Sequence, residues 1–147
     1  MIYGYRVSVY SPSQVVSIES HRAAGDRLPG ARCALVTVSD SRTKENDDSG
    51  KLARDLLAAA GHSISYYGIV PNEPDAIRET LKTCLGAAVD LVLTIGGTGV
   101  SARDRTIETA RTLFDREMPG FGELFRALSL PEIGSAVILT RAAMGIS

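Results

Sequence analysis

The sequence has few of the residues that build metal centres and disulfide frameworks. Its 147 residues include only two cysteines and two histidines. Cys33 and Cys84 lie far apart, without C-x-x-C or Cys/His spacing, so neither a disulfide framework nor a zinc site is indicated. We interpret both as small buried apolar side chains, the usual environment of a free cysteine. His21 and His62 are equally isolated, which favours surface or turn positions over roles as ligand or base.

The chain also lacks a charge excess and a long apolar run. Sixteen basic residues stand against 17 acidic ones, so there is no global basic field and we expect no nucleic-acid partner. No apolar run approaches the roughly 18 residues of a membrane helix. Arg6 interrupts the apolar residues near the amino terminus. We therefore expect no membrane partner, no secretory signal and a cytoplasmic location.

What is present is the composition of a globular domain, 44% hydrophobic and 22% charged. Residues 1–30 form short mixed segments, which we interpret as an N-terminal arm, and a regular pattern occupies residues 31–147 as one domain. Apolar runs predict four strands, at ARCALVTVS, HSISYYGIV, residues 90–95 and SAVILT. Asp48 or Ser49 is predicted to cap the first helix and Thr106 the third. The predicted buried helical stripes are Leu52, Leu56 and Ala60; Ile77, Leu81, Cys84 and Leu85; Ile107, Ala110, Phe114 and Met118; and Phe121, Leu124, Phe125 and Leu128.

Strands that alternate with helices predict an α/β fold, a three-layer α/β/α sandwich with a mostly parallel central sheet. Ligands of such sheets bind beyond the carboxyl ends of the strands. The loop after the first strand, residues 40–48, and the loop after the third, residues 96–106, should both emerge at that edge. Residues distant in sequence are therefore expected to meet there.

The stretch LVLTIGGTGVSARD places a glycine-rich loop at the end of a predicted buried strand. Glycines allow backbone N–H groups to approach an anion closely, and the next helix adds its positive end. With Ser101 and Arg103 in the same loop, the pattern favours a phosphate-bearing ligand. The alternative is a tight turn that needs positive φ angles. The nucleotide-hydrolase pattern G-x-x-x-x-G-K-[ST] is absent, and a G-x-G-x-x-A match follows the third strand, which argues against a dinucleotide site.

Three carboxylates, Asp40, Asp47 and Asp104, are predicted to lie near this glycine loop. Carboxylates repel a phosphate unless a divalent cation lies between them, as in phosphoryl and nucleotidyl transfer. Simpler interpretations are a solvated loop aspartate or a side chain that satisfies loop backbone. The convergence of the three favours a functional role for Asp47 and Asp104.

These motifs resemble a known family in order and spacing. The segments are TVSDSRT, the Asp-x-Ser-Gly stretch at residues 47–50, LTIGGTGVSARD, and DREMPGFGELFRALSLPEIGSAVILTRAAMG. They are similar to the molybdenum-cofactor biosynthesis proteins of the MoaB/Mog type, over about residues 31–146. The resemblance implies a molybdopterin-binding-domain-like fold.

It also implies Mg²⁺- and ATP-dependent adenylylation of molybdopterin, with release of pyrophosphate. By motif, Asp47 and Asp104 correspond to the family's two essential aspartates, either of which could hold Mg²⁺. The implied substrate-binding residues are Ser39, Asp40, Gly96, Gly97, Thr98, Gly99, Ser101 and Arg103. Family members are trimers or hexamers, so a homo-trimer or homo-hexamer is expected.

The sequence departs from the family pattern in three places. In residues 103–108, Arg105 adds a cation and Ile107 stands where a proline commonly begins the helix. The arm before Ala31 has no family counterpart beyond a short helix-like VSIESHRAA. The chain also stops at Ser147, before the family's last strand, LPG-S-type loop and final helix. The last departure favours an alternative function, a molybdopterin-binding or assembly protein without turnover. A nucleotide-binding domain of another pathway is a third possibility. Nothing in the sequence distinguishes molybdenum from tungsten as the metal of the pathway.

Overall fold

The computed structural model describes residues 30–147, so the predicted arm, with His21, lies outside the described residues except for Gly30. The strands are β1 (Arg32–Val38), β2 (Ser63–Val70), β3 (Leu91–Ile95), β4 (Arg116–Glu117) and β5 (Gly145–Ile146). The α-helices are α1 (Asp48–Ala59), α2 (Pro74–Gly86), α3 (Thr106–Arg111) and α4 (Pro119–Ile133). A 3-10 helix, Gly134–Leu139, follows α4.

The main sheet has three parallel strands in the order β2-β1-β3. β1 lies in the middle, and its residues 33–38 are all buried, as its continuous apolar run predicts for a strand covered on both faces. β4 and β5 form a separate antiparallel pair. The first three strand predictions are therefore confirmed to within one or two residues.

Helices cover both faces of the sheet. On one face, Ala34, Val36 and Val38 of β1 share a core with side chains from α2 and α3, among them Ile77 and Ile107. On the other face, the Thr37 hydroxyl donates a hydrogen bond to Asp47, the residue directly before α1. Alternate β1 residues thus point to opposite helical layers. This is the predicted three-layer α/β/α sandwich.

The predicted buried stripe of α1 is wrong. Leu52 and Leu56 are 60% and 62% exposed, and Ala60 is also exposed. The start of the helix sets its rotation: buried Gly50 faces the sheet, so the side chains three, four and seven positions later face it too. Those are residues 53, 54 and 57, all less exposed than the two leucines. In α2, Leu85 is also more exposed than predicted, at 37%.

The carboxyl-terminal third departs most from the prediction. SAVILT forms the 3-10 helix rather than a fourth strand, and Ile138 is 78% exposed. An apolar run alone does not distinguish a strand from a buried helix, and here α4 leads directly into the turn through Gly134, whose φ is +58°. Helix α3 ends at Arg111, so Phe114 and Met118 lie beyond it. In α4, Leu124 and Leu128 are mostly exposed.

Two expectations from composition can be compared with the described residues. Cys33 and Cys84 are buried and unpaired, which confirms them as packing residues. Among residues 30–147, no helix is long and apolar enough to cross a membrane. The cytoplasmic location stays a prediction.

Candidate functional site

The candidate site lies where the three parallel strands end. The amide of Ser39, directly after β1, donates to the carbonyl of Val70 at the end of β2 (2.8 Å). Beyond it, the backbone amide of Asn72 donates a hydrogen bond to Asp40 Oδ1 (2.8 Å), which connects the loops that follow β1 and β2. The glycine loop after β3, residues 96–106, completes the edge. The loops after β1 and β3 were predicted to lie together at this edge. A third loop, which follows β2, lies there too.

At two positions of this loop, only glycine fits the backbone conformation and the available space. Gly96 and Gly97 have φ of +96° and +59°, which L residues with side chains rarely adopt. A Cβ on Gly96 would lie 2.2 Å from the carbonyl oxygen of Val38, and one on Gly97 would lie 2.2 Å from the Thr106 hydroxyl oxygen. The loop therefore packs directly on β1 and on the start of α3. The tight-turn interpretation holds for these two positions, and it does not conflict with anion binding.

The rest of the loop has unpaired donors. Within residues 30–147, the backbone amides of Gly97, Thr98, Gly99 and Val100 donate no hydrogen bond. Thr106 holds the two glycines in place, because its amide donates a hydrogen bond to Gly97 O (3.0 Å) and its hydroxyl donates one to Gly96 O (2.9 Å). It is the first residue of α3 rather than its predicted cap, and no side chain caps that helix. Successive unpaired backbone amides are the donors that bind anions in glycine-rich loops.

A cavity of about 330 Å³ opens beside this loop. Its lining comes from all three loops: Asp40, Asn72, Glu73, Pro74, Ala102, Arg103 and Arg105. Neither arginine forms an ion pair with another residue of the described chain. The cavity is within the range of small-molecule sites, and its exposed guanidinium groups suit a phosphate-bearing ligand.

Asp104 stands between these two arginines in the sequence. Its side chain is half-buried and does not line the cavity. Its Oδ2 accepts a hydrogen bond from the Ser101 amide (3.0 Å), which closes a turn of the glycine loop. Within the described chain, its Oδ1 accepts no recorded hydrogen bond, so one oxygen is available to a ligand or a cation.

Asp47 has different surroundings, with only 1% of its surface exposed. Its Oδ1 accepts from the Gly50 amide (2.9 Å), and its Oδ2 accepts from the hydroxyls of Thr37 (2.6 Å) and Tyr67 (2.7 Å). The Gly50 bond makes Asp47 the N-cap of α1, so the predicted cap at Asp48 or Ser49 is wrong. A capping side chain accepts a hydrogen bond from an amide two or three residues later in the chain. Of the three residues, only Asp47 makes this contact, with the Gly50 amide.

The same contacts set the ionisation of this pair. Burial works to raise the pKa of Asp47, but the hydrogen bonds from Thr37, Tyr67 and the Gly50 amide outweigh it and hold the pKa below its usual value. Burial and the bond to Asp47 raise the pKa of Tyr67 to about 12, so its hydroxyl stays a donor. The Arg54 guanidinium stacks 4.7 Å from the centre of the Tyr67 ring. Asp47 is therefore a buried carboxylate that stays ionised and is held in one position by its three hydrogen bonds.

The two predicted serines hold loops in shape. Ser39 Oγ accepts from the amides of Ser41 and Arg42 (3.3 and 3.2 Å), and Ser101 Oγ accepts from the Arg103 amide (3.3 Å). All the predicted substrate-binding residues belong to the loops after β1 and β3, and their contact with a ligand stays a prediction.

Asn72 was missed by sequence reasoning. Its Oδ1 is buried without a partner, and a Cβ on Gly97 would lie 2.4 Å from that atom. The side-chain amide thus lies directly against the glycine loop and the cavity. The signal that could have found Asn72 is its position two residues after β2, at the same sheet edge as the loops already considered.

A resident metal would find few ligands in the described chain. No group of three or more His, Cys, Asp or Glu side chains within residues 30–147 could hold an ion. Mg²⁺ is often held by one or two carboxylates together with waters and substrate phosphates. Asp104, with one oxygen unengaged, fits that second arrangement, whereas Asp47 is buried and has both oxygens hydrogen-bonded, so it does not.

Comparison with known proteins gives one consistent result. Residues 34–146 match a family described as a probable molybdopterin binding domain. The chain is 47% identical over 133 residues to molybdenum cofactor biosynthesis protein B of Halalkalibacterium halodurans, covering 89% of this chain and 77% of that protein. A crystal structure of a molybdenum cofactor biosynthesis protein B superposes with a TM-score of 0.74 at 41% identity, covering 82% of this chain and 81% of the other. The tungsten cofactor synthesizing protein MoaB from Pyrococcus furiosus gives a TM-score of 0.72 at 40% identity, covering 79% and 72%.

Proposed function

The chain belongs to the MoaB/Mog family of probable molybdopterin-binding domains, and on that premise we propose that it adenylylates molybdopterin with Mg²⁺ and ATP in molybdenum cofactor biosynthesis. The observation that carries this proposal is the row of unpaired amides in the glycine loop beside a cavity lined by Arg103 and Arg105. Both substrates carry phosphates, and unpaired amides and guanidinium groups are the donors that bind phosphate in proteins.

In this proposal the protein acts by positioning. The loop amides and the two arginines hold phosphate oxygens and compensate their charge. This favours attack of the terminal phosphate of molybdopterin on the α-phosphorus of ATP, with cleavage of the α–β phosphoanhydride bond and release of pyrophosphate, and without a covalent enzyme adduct. Asn72 and Asp40 line the same cavity. The side-chain amide of Asn72 can contact the ligand, whereas Asp40 accepts a hydrogen bond from the backbone amide of Asn72. A Mg²⁺ ion held by Asp104 and the substrate phosphates would neutralise negative charge at the reacting groups.

We assign different roles to the two predicted catalytic aspartates. Asp104 contacts substrate or Mg²⁺ through its unengaged oxygen. Asp47 acts through the structure that it holds, because its three hydrogen bonds and its burial separate it from ligands. It is thus a positioning residue for the start of α1 and for the end of β1.

A second candidate is a molybdopterin-binding or assembly protein without turnover. The specific observation in its favour is that the described chain offers few carboxylates to a metal and that one of the two predicted aspartates, Asp47, is buried with both oxygens hydrogen-bonded. Both candidates require that the site binds the pterin.

The deciding experiment measures pterin binding and turnover separately. Purified protein is titrated with molybdopterin, then incubated with molybdopterin, ATP and Mg²⁺ while adenylylated pterin and pyrophosphate are quantified. Product formation supports the adenylyltransferase. Tight pterin binding without product supports the binding protein. Absence of pterin binding would contradict both.

We further propose a homo-trimer or homo-hexamer. The exposed apolar side chains of α4 and the 3-10 helix support association: Leu124, Leu128, Leu130, Ile133, Ile138 and Leu139. Exposed apolar side chains gathered on neighbouring elements mark contact surfaces. Analytical ultracentrifugation should give three or six times the chain mass, and a monomer would contradict this part of the proposal.

A further inference from the structure

Arg141 joins parts of the candidate site that are far apart in the sequence. It lies between the 3-10 helix and β5, 43 residues after Thr98 and 37 residues after Asp104. Nothing in the glycine-loop motif identifies it. Its side chain is 31% exposed, so it is largely held within the protein.

The guanidinium group of Arg141 contacts three partners at once. Its Nε donates to the carbonyl oxygen of Thr98 (3.3 Å), and one terminal nitrogen donates to the carbonyl oxygen of Asp104 (2.9 Å). The other terminal nitrogen forms an ion pair with Glu108 in α3. The guanidinium group carries five N–H donors in a rigid plane, so this one side chain can satisfy three acceptors that lie around the plane.

Glu108 keeps this arginine in place. Burial works against ionisation of Glu108, but a backbone hydrogen bond and Arg141 outweigh it, so its pKa is lower than usual. The carboxylate balances the positive charge of Arg141 and occupies one side of the guanidinium. The contacts of Arg141 therefore resemble those of a structural clamp, whereas Arg103 and Arg105 line the cavity without ion pairs.

Holding a carbonyl also orients the neighbouring amide. The described chain has no cis peptide bond, so the C=O and N–H of each peptide unit point in opposite directions. When Arg141 holds the carbonyls of Thr98 and Asp104, the amides of Gly99 and Arg105 must point away from Arg141. Within residues 30–147, neither of these amides donates a recorded hydrogen bond.

We propose that Arg141 is a positioning residue of the phosphate site, which fixes the amides of Gly99 and Arg105 in the orientation that binds an anion. The inference rests on the proposed function, because it takes a substrate phosphate as the anion. Arg141 itself makes no contact with the ligand in this proposal. Its effect is to keep the glycine loop in one arrangement before the ligand arrives.

The test compares three variants with the wild type. Arg141→Ala removes the clamp, and Arg141→Lys keeps the charge but not the fork. Arg111→Ala is the matched control, since Arg111 also donates two hydrogen bonds to a glutamate, Glu117, but does not contact the glycine loop. Each variant is measured for Mg-ATP affinity by calorimetry, for molybdopterin affinity, and for amide hydrogen exchange over residues 96–106.

We expect Arg141→Ala to lower Mg-ATP affinity by about tenfold or more, since a charge-assisted contact to each of two loop carbonyls is lost. Exchange over residues 96–106 should accelerate in the same variant, because the loop opens more often. Arg141→Lys should show a smaller change of the same kind, and Arg111→Ala should match the wild type in both measurements.

The outcomes separate this inference from the proposed function. Wild-type affinity and loop exchange in Arg141→Ala would overturn the clamp. Equal losses in Arg141→Ala and Arg111→Ala would overturn it too, because general destabilisation would then explain them. If the wild type binds neither molybdopterin nor Mg-ATP, the proposed function fails, and the inferred role in phosphate binding fails with it, whatever the exchange rates show. If the wild type binds and only the Arg141 variants weaken, both stand.

Discussion

The two predicted aspartates belong to neighbouring loops of one sheet edge, yet their surroundings differ. Asp47 is 1% exposed and accepts three hydrogen bonds from within the protein. Asp104 is half-buried, and only its Oδ2 is bonded, to the Ser101 amide. One carboxylate stabilises the fold and the other is available to a ligand. A motif that marks both residues therefore does not show that they share a role.

The largest expected effect comes from Asp104→Asn. The variant keeps an acceptor for the Ser101 amide but loses the charge proposed to hold Mg²⁺, so turnover should fall by about a thousandfold. The melting temperature should change by no more than about 2 °C, because the variant side chain keeps its size and its bond to the Ser101 amide. Asp115→Asn, at an exposed aspartate, is the control. If Asp104→Asn turns over as fast as the wild type, Asp104 does not hold Mg²⁺ or substrate, and the proposed difference in role between the two aspartates is wrong.

Asp47→Ala should destabilise the protein more than any other substitution discussed here. It removes the N-cap of α1 and leaves the hydroxyls of Thr37 and Tyr67 without an acceptor, a loss of about 3 kcal/mol. Chemical denaturation measures this loss directly. Asp48→Ala is the control, because Asp48 lies next to Asp47 but is exposed. If both variants unfold at the same denaturant concentration, the hydrogen bonds of Asp47 are not stabilising.

Two glycine substitutions should separate the regions further. A Cβ on Gly50 would lie 2.1 Å from Asp47 Oδ2, so Gly50→Ala should displace that carboxylate and destabilise the fold by about 2 kcal/mol. Gly97→Ala should distort the glycine loop and weaken ligand binding as well. Denaturation and calorimetry on both variants test this. If Gly50→Ala, in the fraction that remains folded, loses as much ligand affinity as Gly97→Ala, the two regions are not independent.

The smallest effect expected is a pH dependence. The pKa of Asp47 is lower in the folded protein than in the unfolded chain. Its contribution is therefore complete above the unfolded value of about 3.9 and is lost as the pH falls through the folded value. The stability difference between wild type and Asp47→Asn should shrink with acidification, by at most about 1.4 kcal/mol per pH unit. A difference that stays constant from pH 6 to pH 3 would contradict the lowered pKa.

Sequence patterns predicted some parts of this molecule and missed others for identifiable reasons. The β1 run is nearly all apolar and is buried from residue 33 to residue 38 because helices cover both of its faces, so its strand prediction was correct. SAVILT is equally apolar, but it follows a helix without a partner strand, and it forms a 3-10 helix. The leucines of α1 have helical spacing, yet the cap at Asp47 turns another face of the helix toward the sheet.

The candidate site shows the same division. The glycine loop could be predicted because positive φ angles and close backbone packing require glycine itself, as Gly96 and Gly97 show. Asn72 and Arg141 could not be predicted from a motif. Each acts through a contact with a distant segment, Asn72 against Gly97 and Arg141 against Thr98 and Asp104.

The sequence by itself determined the first three strands and the helices that alternate with them, the family and the glycine loop, because these depend on local periodicity and on residues with special backbone freedom. Only the tertiary structure decided which carboxylate is enclosed and which is accessible, and which arginine holds the loop rather than lining the cavity. The physical reason is that burial and hydrogen-bond partners come from segments tens of residues away. Asp47 receives the Tyr67 hydroxyl from the neighbouring strand, whereas no described group reaches Asp104 Oδ1.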